Sequence, residues 1–412
     1  MAPSQAPLAS LRVIEVSLLG PGAVGTHLAD LGAEVIKVEP PKGDYIRQMT
    51  WPIIEDSSLL HWHIHRGKRS MTLDLRSEGG KEVFLDLVRD ADAVIEAMRP
   101  GALAKRGLGF EDLLEVNPRI VFCTISGYGM TGPYAELPSH GIAYDTWAGL
   151  VKPEYDDGFP CIPEHPSTGI HAGPLFGAFG ILAGVIRARE TGEGSFFEIA
   201  QSDAAAYMDW YRSETWKAYE RPEDEVTGNA ADNYERRAPG TAGMRDGVRY
   251  QIYESADGHV LFMASEQEFW RNFCEGVDRM DLFERWPGSK FADHAKGNTE
   301  LRGELAEIFR TRTTAEWVVF SGEHNTTIAP VNTPKTLADD PQFIERLGFM
   351  DHETHGADML PHPVKFVGEE PVDPAPAPTA GQHNDEVAAE VLGYDPERIA
   401  ELREAGAFGE GN

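Results

Sequence analysis

Apolar residues along the chain fall in short dense runs, each followed by a longer stretch with apolar positions at helical spacing. Val13–Val16 reads as a buried strand and Glu34–Glu39 as a second, with a helical run between them. After a loop over Pro40–Leu59, Met71–Leu75 predicts a third strand, Glu78–Arg89 a helix and Ala93–Ala97 a fourth strand. A further helix stops near Pro118, and "RIVFCTISGYG" is a strand running into a glycine-rich loop. Ser167–Arg189, rich in small apolar residues, predicts a buried helix; "RETGEGSFFEIAQSDAAAYM" then gives a turn, a strand and a helix. Strands that alternate with helices predict an α/β fold built on a doubly wound, mostly parallel sheet.

From about Pro222 the pattern changes. A polar stretch leads to "VRYQIYESADGHVLFMASE", which reads as a hairpin around Asp257–Gly258. Helical segments follow to about Gly322, then a strand and a proline-bounded helix start in "TTIAPVNTPKTLADDPQF". A Pro/Ala-rich linker, Pro371–Ala380, precedes a helix over Asp385–Leu392. The chain has 412 residues, too many for one ordinary core. The expected division is a large domain over 1–200, a linker over 201–224 and a smaller α/β domain over 225–335. Residues 336–412 form a linker and a segment returning to the large domain.

Charge changes what such a fold is expected to bind. The formal net charge is −30, which predicts repulsion from nucleic acid and from anionic membrane. No apolar run looks long enough to span a bilayer, and the first residues lack the features of a signal peptide. Three scattered cysteines, Cys123, Cys161 and Cys274, fit a reducing cytoplasm and offer neither a disulfide framework nor a zinc site. An anionic ligand would require the few basic residues to be gathered locally. "HRGKRS" gathers Arg66, Lys68 and Arg69, and "RPGALAKR" gathers Arg99, Lys105 and Arg106; Arg47 in "GDYIRQ" is a weaker candidate.

Between the first two strands, Gly20, Gly22 and Gly25 stand in G-x-G-x-x-G spacing, and Glu39 ends the second strand. Taken literally this is a dinucleotide fingerprint, with the acid for a ribose. Two details disagree. Pro21 has no N–H to give a phosphate, and Ser17-Leu18-Leu19 lengthen the turn. The glycines therefore speak for a tight strand-to-helix turn more than for a nicotinamide.

"LGPGAVGTHLADLGAEVIKVEPPKGD", "HRGKRSMTLDLRSEGG", "RPGALAKRGLGFEDLLEVNPRIVFCTISGYGMTGPY", "RARETGEGSFFEIAQSDA", "IAPVNTPKTLADDPQF" and "GQHNDEVAAEVLGY" follow one another in order. Together they resemble the class III CoA-transferases, the family that includes formyl-CoA transferase, carnitine CoA-transferase and α-methylacyl-CoA racemase. The resemblance implies a Rossmann-like large domain that binds coenzyme A rather than NAD, no metal, and an interlocked homodimer. It implies that Arg66, Lys68, Arg69, Arg99 and Lys105 contact CoA, Lys105 standing where relatives place an arginine. The reaction implied is CoA transfer between carboxylic acids. Two alternatives remain: α-proton transfer as in the racemase, and non-catalytic acyl-CoA binding.

In the transferases an aspartate takes the acyl group and a glycine-rich loop closes over it; in the racemases a histidine and an aspartate act as two bases, supported by a glutamate. "SHGIAYDTWAG" places His140 on the racemase histidine, and "LFMASEQEFW" places Glu266 on the glutamate. The nearest match to the glycine loop is "APGTAG", Ala238–Gly243. The aspartate expected after His140 falls on Gly169 or Ile170, and no aspartate occurs between Asp157 and Asp203. His171 is the adjacent titratable group and the candidate second base. Asp145, Asp156 and Asp157 are substitute carboxylates away from that position. Backbone N–H groups over Gly169–Gly173 are candidates to hold an enolate. Trp147, Trp210, Tyr211 and Trp216 are candidates for an acyl pocket. "HWHIH", with His61, His63 and His65, reads as a loop before the CoA site rather than a metal centre.

Overall fold

The computed structural model describes residues 6–228, 234–236, 244–289 and 293–409. The expected glycine loop at Ala238–Gly243 lies outside the described residues, and so do residues 1–5 and 410–412. The chain divides into two compact units. One comprises Met1–Asp209 with Leu347–Asn412, the other Trp210–Arg346.

The first unit is an α/β layer structure. Its strands are β1 (Arg12–Ser17), β2 (Glu34–Glu39), β3 (Lys68–Thr72), β4 (Ala93–Ala97), β5 (Val121–Ser126) and β6 (Ser195–Ala200). They form one sheet in the order β3-β2-β1-β4-β5-β6. Every pairing is parallel. This is a doubly wound order whose direction of winding reverses between β1 and β4. A ligand crevice opens at the carboxyl ends of strands at such a reversal. Helices α1 (Ala23–Ala29), α2 (Leu59–His65), α3 (Glu78–Arg89), α4 (Phe110–Val116), α5 (Ile142–Trp147), α6 (Thr168–Thr191) and α7 (Gln201–Met208) complete the unit.

Side chains alternate across the strands, so each strand feeds two cores. Ile14, Val16, Ile36, Val38 and Met71 face α3 and α4, and Val387, Ile399, Leu402 and Phe408 of the C-terminal segment close the same core. Val13, Val35, Ala93 and Ile95 face Val24 and Leu28 of α1 and Ala178, Ile181 and Val185 of α6. Ser77 starts α3 by accepting the Gly80 N–H, a cap that sets its first turn.

Three elements depart from expectation. β3 begins at Lys68, three residues before the expected Met71. Its basic start reads as loop because lysine is rarely buried, yet Lys68 lies inside the protein. "HWHIH" is helical, in α2, capped by Ser58. Its alternating histidines therefore point different ways: His61 and His65, one turn apart, are buried with their Nδ1 atoms 2.8 Å apart. Finally, α6 has 24 residues and is long and apolar enough to cross a membrane, which corrects the reading that no such run exists. Here α6 packs on the sheet instead. A Cβ on Gly180 would lie 2.5 Å from the Phe197 ring, so glycine sets that close approach. Its outer face leaves Leu175, Phe179 and Ile186 exposed.

The second unit has an antiparallel sheet of β7 (Gln251–Glu254), β8 (His259–Phe262) and β9 (Ile328–Pro330), in that order. Helices α8 (Trp210–Ala218), α9 (Gln267–Gly276), α10 (Thr299–Phe309) and α11 (Thr314–Glu323) belong to it. Its core is aromatic: Tyr253, Phe262, Trp270, Phe273, Phe309, Trp317 and Phe320 are all buried.

Candidate active site

A cavity of about 640 Å3 opens at the carboxyl ends of β1, β2, β3 and β4, the position that the strand order favours. Ser17 and Leu18 follow β1, Pro40, Pro41 and Lys42 follow β2, Leu73–Arg76 follow β3, and Met98 follows β4. Arg106 joins the wall from the turn before α4. Lys42, Arg76 and Arg106 thus converge on one opening in a chain of net charge −30. Arg76 pairs with Asp74 at 2.9 Å. Arg106 donates to the Ala102 carbonyl. Lys42 is exposed.

The basic residues singled out in the sequence go elsewhere. Arg66 is buried and grips Asp30 with two bonds, Nε–Oδ1 3.0 Å and Nη2–Oδ2 2.7 Å. Lys68 is buried against Glu15 Oε2 at 2.8 Å and the Gly22 carbonyl at 2.6 Å. Arg69 pairs with Glu34, Glu386 and Glu390. These three charges are satisfied within the protein, and none lines the cavity. Arg99 and Lys105 are exposed; each is the sequence neighbour of a cavity residue, Met98 and Arg106. Arg47 turns in to Glu39 with two bonds of 2.7 and 3.0 Å.

That last contact decides what Glu39 does. Burial pushes its carboxyl up, but the Arg47 bond, the Lys37 and Arg47 charges and the Ser70 hydroxyl outweigh it and hold the pKa at about 2. The acid is occupied by its neighbours, so it has the position of a ribose-binding acid without a free carboxylate. The glycines are steric too. A Cβ on Gly25 would fall 2.0 Å from Glu15 Oε2, whereas one on Gly20 would meet nothing within 4 Å.

His140, exposed, lies just before α5, and its carbonyl accepts the Ala143 N–H. A methyl group on Gly141 would lie 3.9 Å from Ile170 Cγ2, so the fold brings the His140 segment to the start of α6. His171 is exposed there. It lies near α2: burial, the Arg66 charge and, more weakly, His27 and His171 push the His63 pKa down to about 4. At Gly169 a side chain has no room, since its Cβ would lie 2.9 Å from Tyr144 Cβ and 3.0 Å from the Gln201 carbonyl. The Gly169 N–H is also taken: it donates to Asp145 Oδ1 at 3.0 Å. Asp145 is fully buried, and its Oδ2 has no hydrogen-bond partner. A carboxylate thus stands against the start of α6 although none occurs there in sequence. Asp156 and Asp157 sit instead on an exposed hairpin.

In the second unit, Glu266 is exposed and precedes α9. It is near enough to His294 to raise that imidazole's pKa, which burial lowers overall. Trp147 is exposed, and so are Trp210, Tyr211 and Trp216 on α8.

The model of CoA-transferase family III matches residues 8–384, most of the chain. This chain belongs to CoA-transferase family III. A human succinyl-CoA:glutarate CoA-transferase is 29% identical over 97% of this chain and 89% of its own length. A succinate–glutarate CoA-transferase of Agrobacterium fabrum is 30% identical, covering 93% of this chain and 96% of its own. Among solved structures, a CAIB/BAIF family protein from Brucella suis aligns over 94% of this chain and 100% of its own. Its TM-score is 0.74 and its identity 25%.

Sequence reasoning missed Lys42 and Arg76 as cavity residues. The available signal was position: each comes within a few residues after a strand, at the end where the crevice opens. Clustering of charge was the weaker guide, because a buried lysine and arginine inflate it.

Proposed function

We propose that this chain transfers coenzyme A from an acyl-CoA thioester to a free carboxylic acid, with the CoA moiety in the cavity at the ends of β1–β4. The observation that carries the reading is that cavity, rimmed by Lys42, Arg76 and Arg106 in an otherwise acidic family member. A diphosphate and a 3′-phosphate need such a local cluster. Arg99 and Lys105, exposed beside the rim, complete the phosphate contacts, in place of the inward-turned Arg66, Lys68 and Arg69. The large unit is Rossmann-like on this reading, by its strand order.

Transfer without hydrolysis is served by an enzyme carboxylate that takes the acyl group. Asp145 is our assignment for it. Its free oxygen adds to the thioester carbon, the C–S bond breaks, and the thiolate leaves on CoA. The thiolate then attacks the Asp145 carbonyl of the mixed anhydride, which releases the donor acid as its carboxylate and leaves CoA in thioester linkage to Asp145. The acceptor carboxylate displaces that thiolate to form a second anhydride, and the thiolate attacks the acceptor's acyl carbon, giving the new CoA ester and the free Asp145 carboxylate. Because Asp145 is covered, α5 has to open first. His140 and His171 flank that segment as proton carriers. Two copies of the chain associate in the cytoplasm, covering the apolar outer face of α6.

Relatives bear the names of enzymes acting on succinyl-CoA with glutarate or mesaconate and on acetyl-CoA with oxalate, so short dicarboxylates come first as acceptors. The test incubates the protein with succinyl-CoA or acetyl-CoA and a panel of such acids, and follows new CoA esters by mass spectrometry. A new ester, absent with Asp145→Asn and with a hydroxylamine-trapped adduct on the Asp145 peptide, is expected. Transfer undiminished in Asp145→Asn removes Asp145 from the scheme; no transfer across the panel while CoA binds removes the scheme itself.

A further inference from the structure

On the face of the sheet beneath α1, a row of charges replaces the expected apolar row. Glu15 of β1 stands opposite Lys37 of β2 in register, and Lys37 stands opposite Ser70 of β3. Lys68 completes the row from β3. Glu15, Lys37 and Lys68 are each at most 2% exposed, as is Asp44 from the loop after β2. Burying an ion costs several kcal/mol, so such a row is informative about where its charges go.

They go to the backbone of one turn. Lys37 Nζ donates to the Ser17 carbonyl at 2.8 Å and meets Asp44 Oδ2 at 3.1 Å. Asp44 Oδ2 accepts the Leu19 N–H at 3.3 Å. Lys68 Nζ donates to the Gly22 carbonyl at 2.6 Å, and Glu15 braces both Lys68 and the Ser17 hydroxyl, at 2.8 and 2.7 Å. The turn Ser17–Gly22 is therefore held at its start, middle and end. In its middle, Leu19 has φ 59° and ψ −147°, a conformation that favours glycine. A non-glycine residue persists there only when its surroundings over-determine it. Ser17 and Leu18 of this same turn line the cavity.

We infer that Lys37, Asp44 and Lys68 are positioning residues for acyl-CoA: their buried charges hold the Ser17–Gly22 turn in a strained shape that forms the β1 wall of the cavity. The inference rests on the reading of that cavity as the CoA site. None of the three touches the ligand; each acts through the turn.

The decisive variant is Leu19→Gly, which relaxes the strained residue and loosens the turn without disturbing a buried charge. Its melting temperature should equal or exceed that of the wild type. Its Kd for CoA, by calorimetry, should rise tenfold or more, and its KM for acyl-CoA should rise alike while KM for the acid acceptor stays unchanged. Lys37→Met should show the same KM split, with faster hydrogen exchange at the Leu19 amide. A residue with only a structural role would move stability and both KM values together. Leu19→Gly with wild-type CoA affinity overturns the inference, whether or not Lys37→Met folds. So does a loss of affinity matched by a loss of melting temperature. Failure of the wild type itself to bind CoA instead overturns the reading of the cavity, an outcome distinct from both.

Discussion

At the scale of single residues, the basic side chains divide by burial. Arg66 is locked to the nearly buried Asp30, and Arg66→Ala would leave that carboxylate unpaired. The expected cost is about 3–5 kcal/mol of stability, read by denaturant unfolding, with no change in the salt dependence of CoA binding. Arg106→Ala and Lys42→Ala should do the opposite. They should leave unfolding within about 0.5 kcal/mol and weaken CoA binding, more so at low ionic strength. Glu39 supplies a pH prediction. Its pKa is held at about 2 against an ordinary value of 4.5. The folded state therefore keeps this carboxylate ionised where the unfolded chain protonates it. The stabilisation is complete above pH 4.5 and is lost as pH falls toward 2, by about 3 kcal/mol. Burial and the Arg47 charge push His61 down to about 3, so it too resists protonation in the fold and steepens acid unfolding below its ordinary 6.5. Glu39→Gln should flatten the stability profile between pH 4.5 and 2 in urea titrations at stepped pH. An unchanged slope would show that other groups control it.

At the scale of elements, α6 is the one that the hydrophobic pattern describes least completely. Its pattern is apolar all round, which fits a helix covered on every side. Inside the first unit the sheet, α1, α5 and α7 cover part of it, as where Phe176 meets the Tyr207 ring, but Phe179 is 73% exposed and Ile186 61%. Exposed apolar patches on this scale mark a contact surface. Phe179→Asp should leave the melting temperature nearly unchanged at high dilution and shift the protein from dimer to monomer in sedimentation velocity. If the wild type is already monomeric at micromolar concentration, the assignment of this face to a second copy fails. The same helix shows why a missing aspartate was hard to judge from sequence. At its start, Gly169 is packed too tightly for any side chain, and the carboxylate that reaches its N–H comes from α5.

At the scale of the whole molecule, the C-terminal segment seals a core begun near the N-terminus. Leu402 and Phe408 pack with Ile36, Met71 and Phe84, and the Phe408 carbonyl accepts the Thr72 hydroxyl. Leu402→Ala should cost about 2–5 kcal/mol, as a core truncation does, and should lower the unfolding midpoint of the first unit. Hydrogen exchange resolved by peptide should show the loss over β3 and α3 and leave the aromatic core of the second unit protected. A uniform loss over both units would mean that they unfold together.

The sequence by itself determined the α/β class, the helices and strands with clean periodicity, and the family. Glu34–Glu39, Glu78–Arg89 and Ala93–Ala97 need only local alternation and caps, so their bounds can be read without a fold. Family membership rests on ordered blocks of residues and is equally a property of the chain. Which lysine faces solvent is not. Lys68 and Lys105 look alike in sequence, yet Lys68 meets Glu15 from a strand two places away in the sheet, while Lys105 stays exposed. The pairing of Asp145 with Gly169, the gathering of Lys42, Arg76 and Arg106, and the grip on Leu19 likewise join residues far apart along the chain. Charge placement was decided by tertiary structure because an ion is buried only where the fold supplies a partner, and that partner comes from another strand or loop.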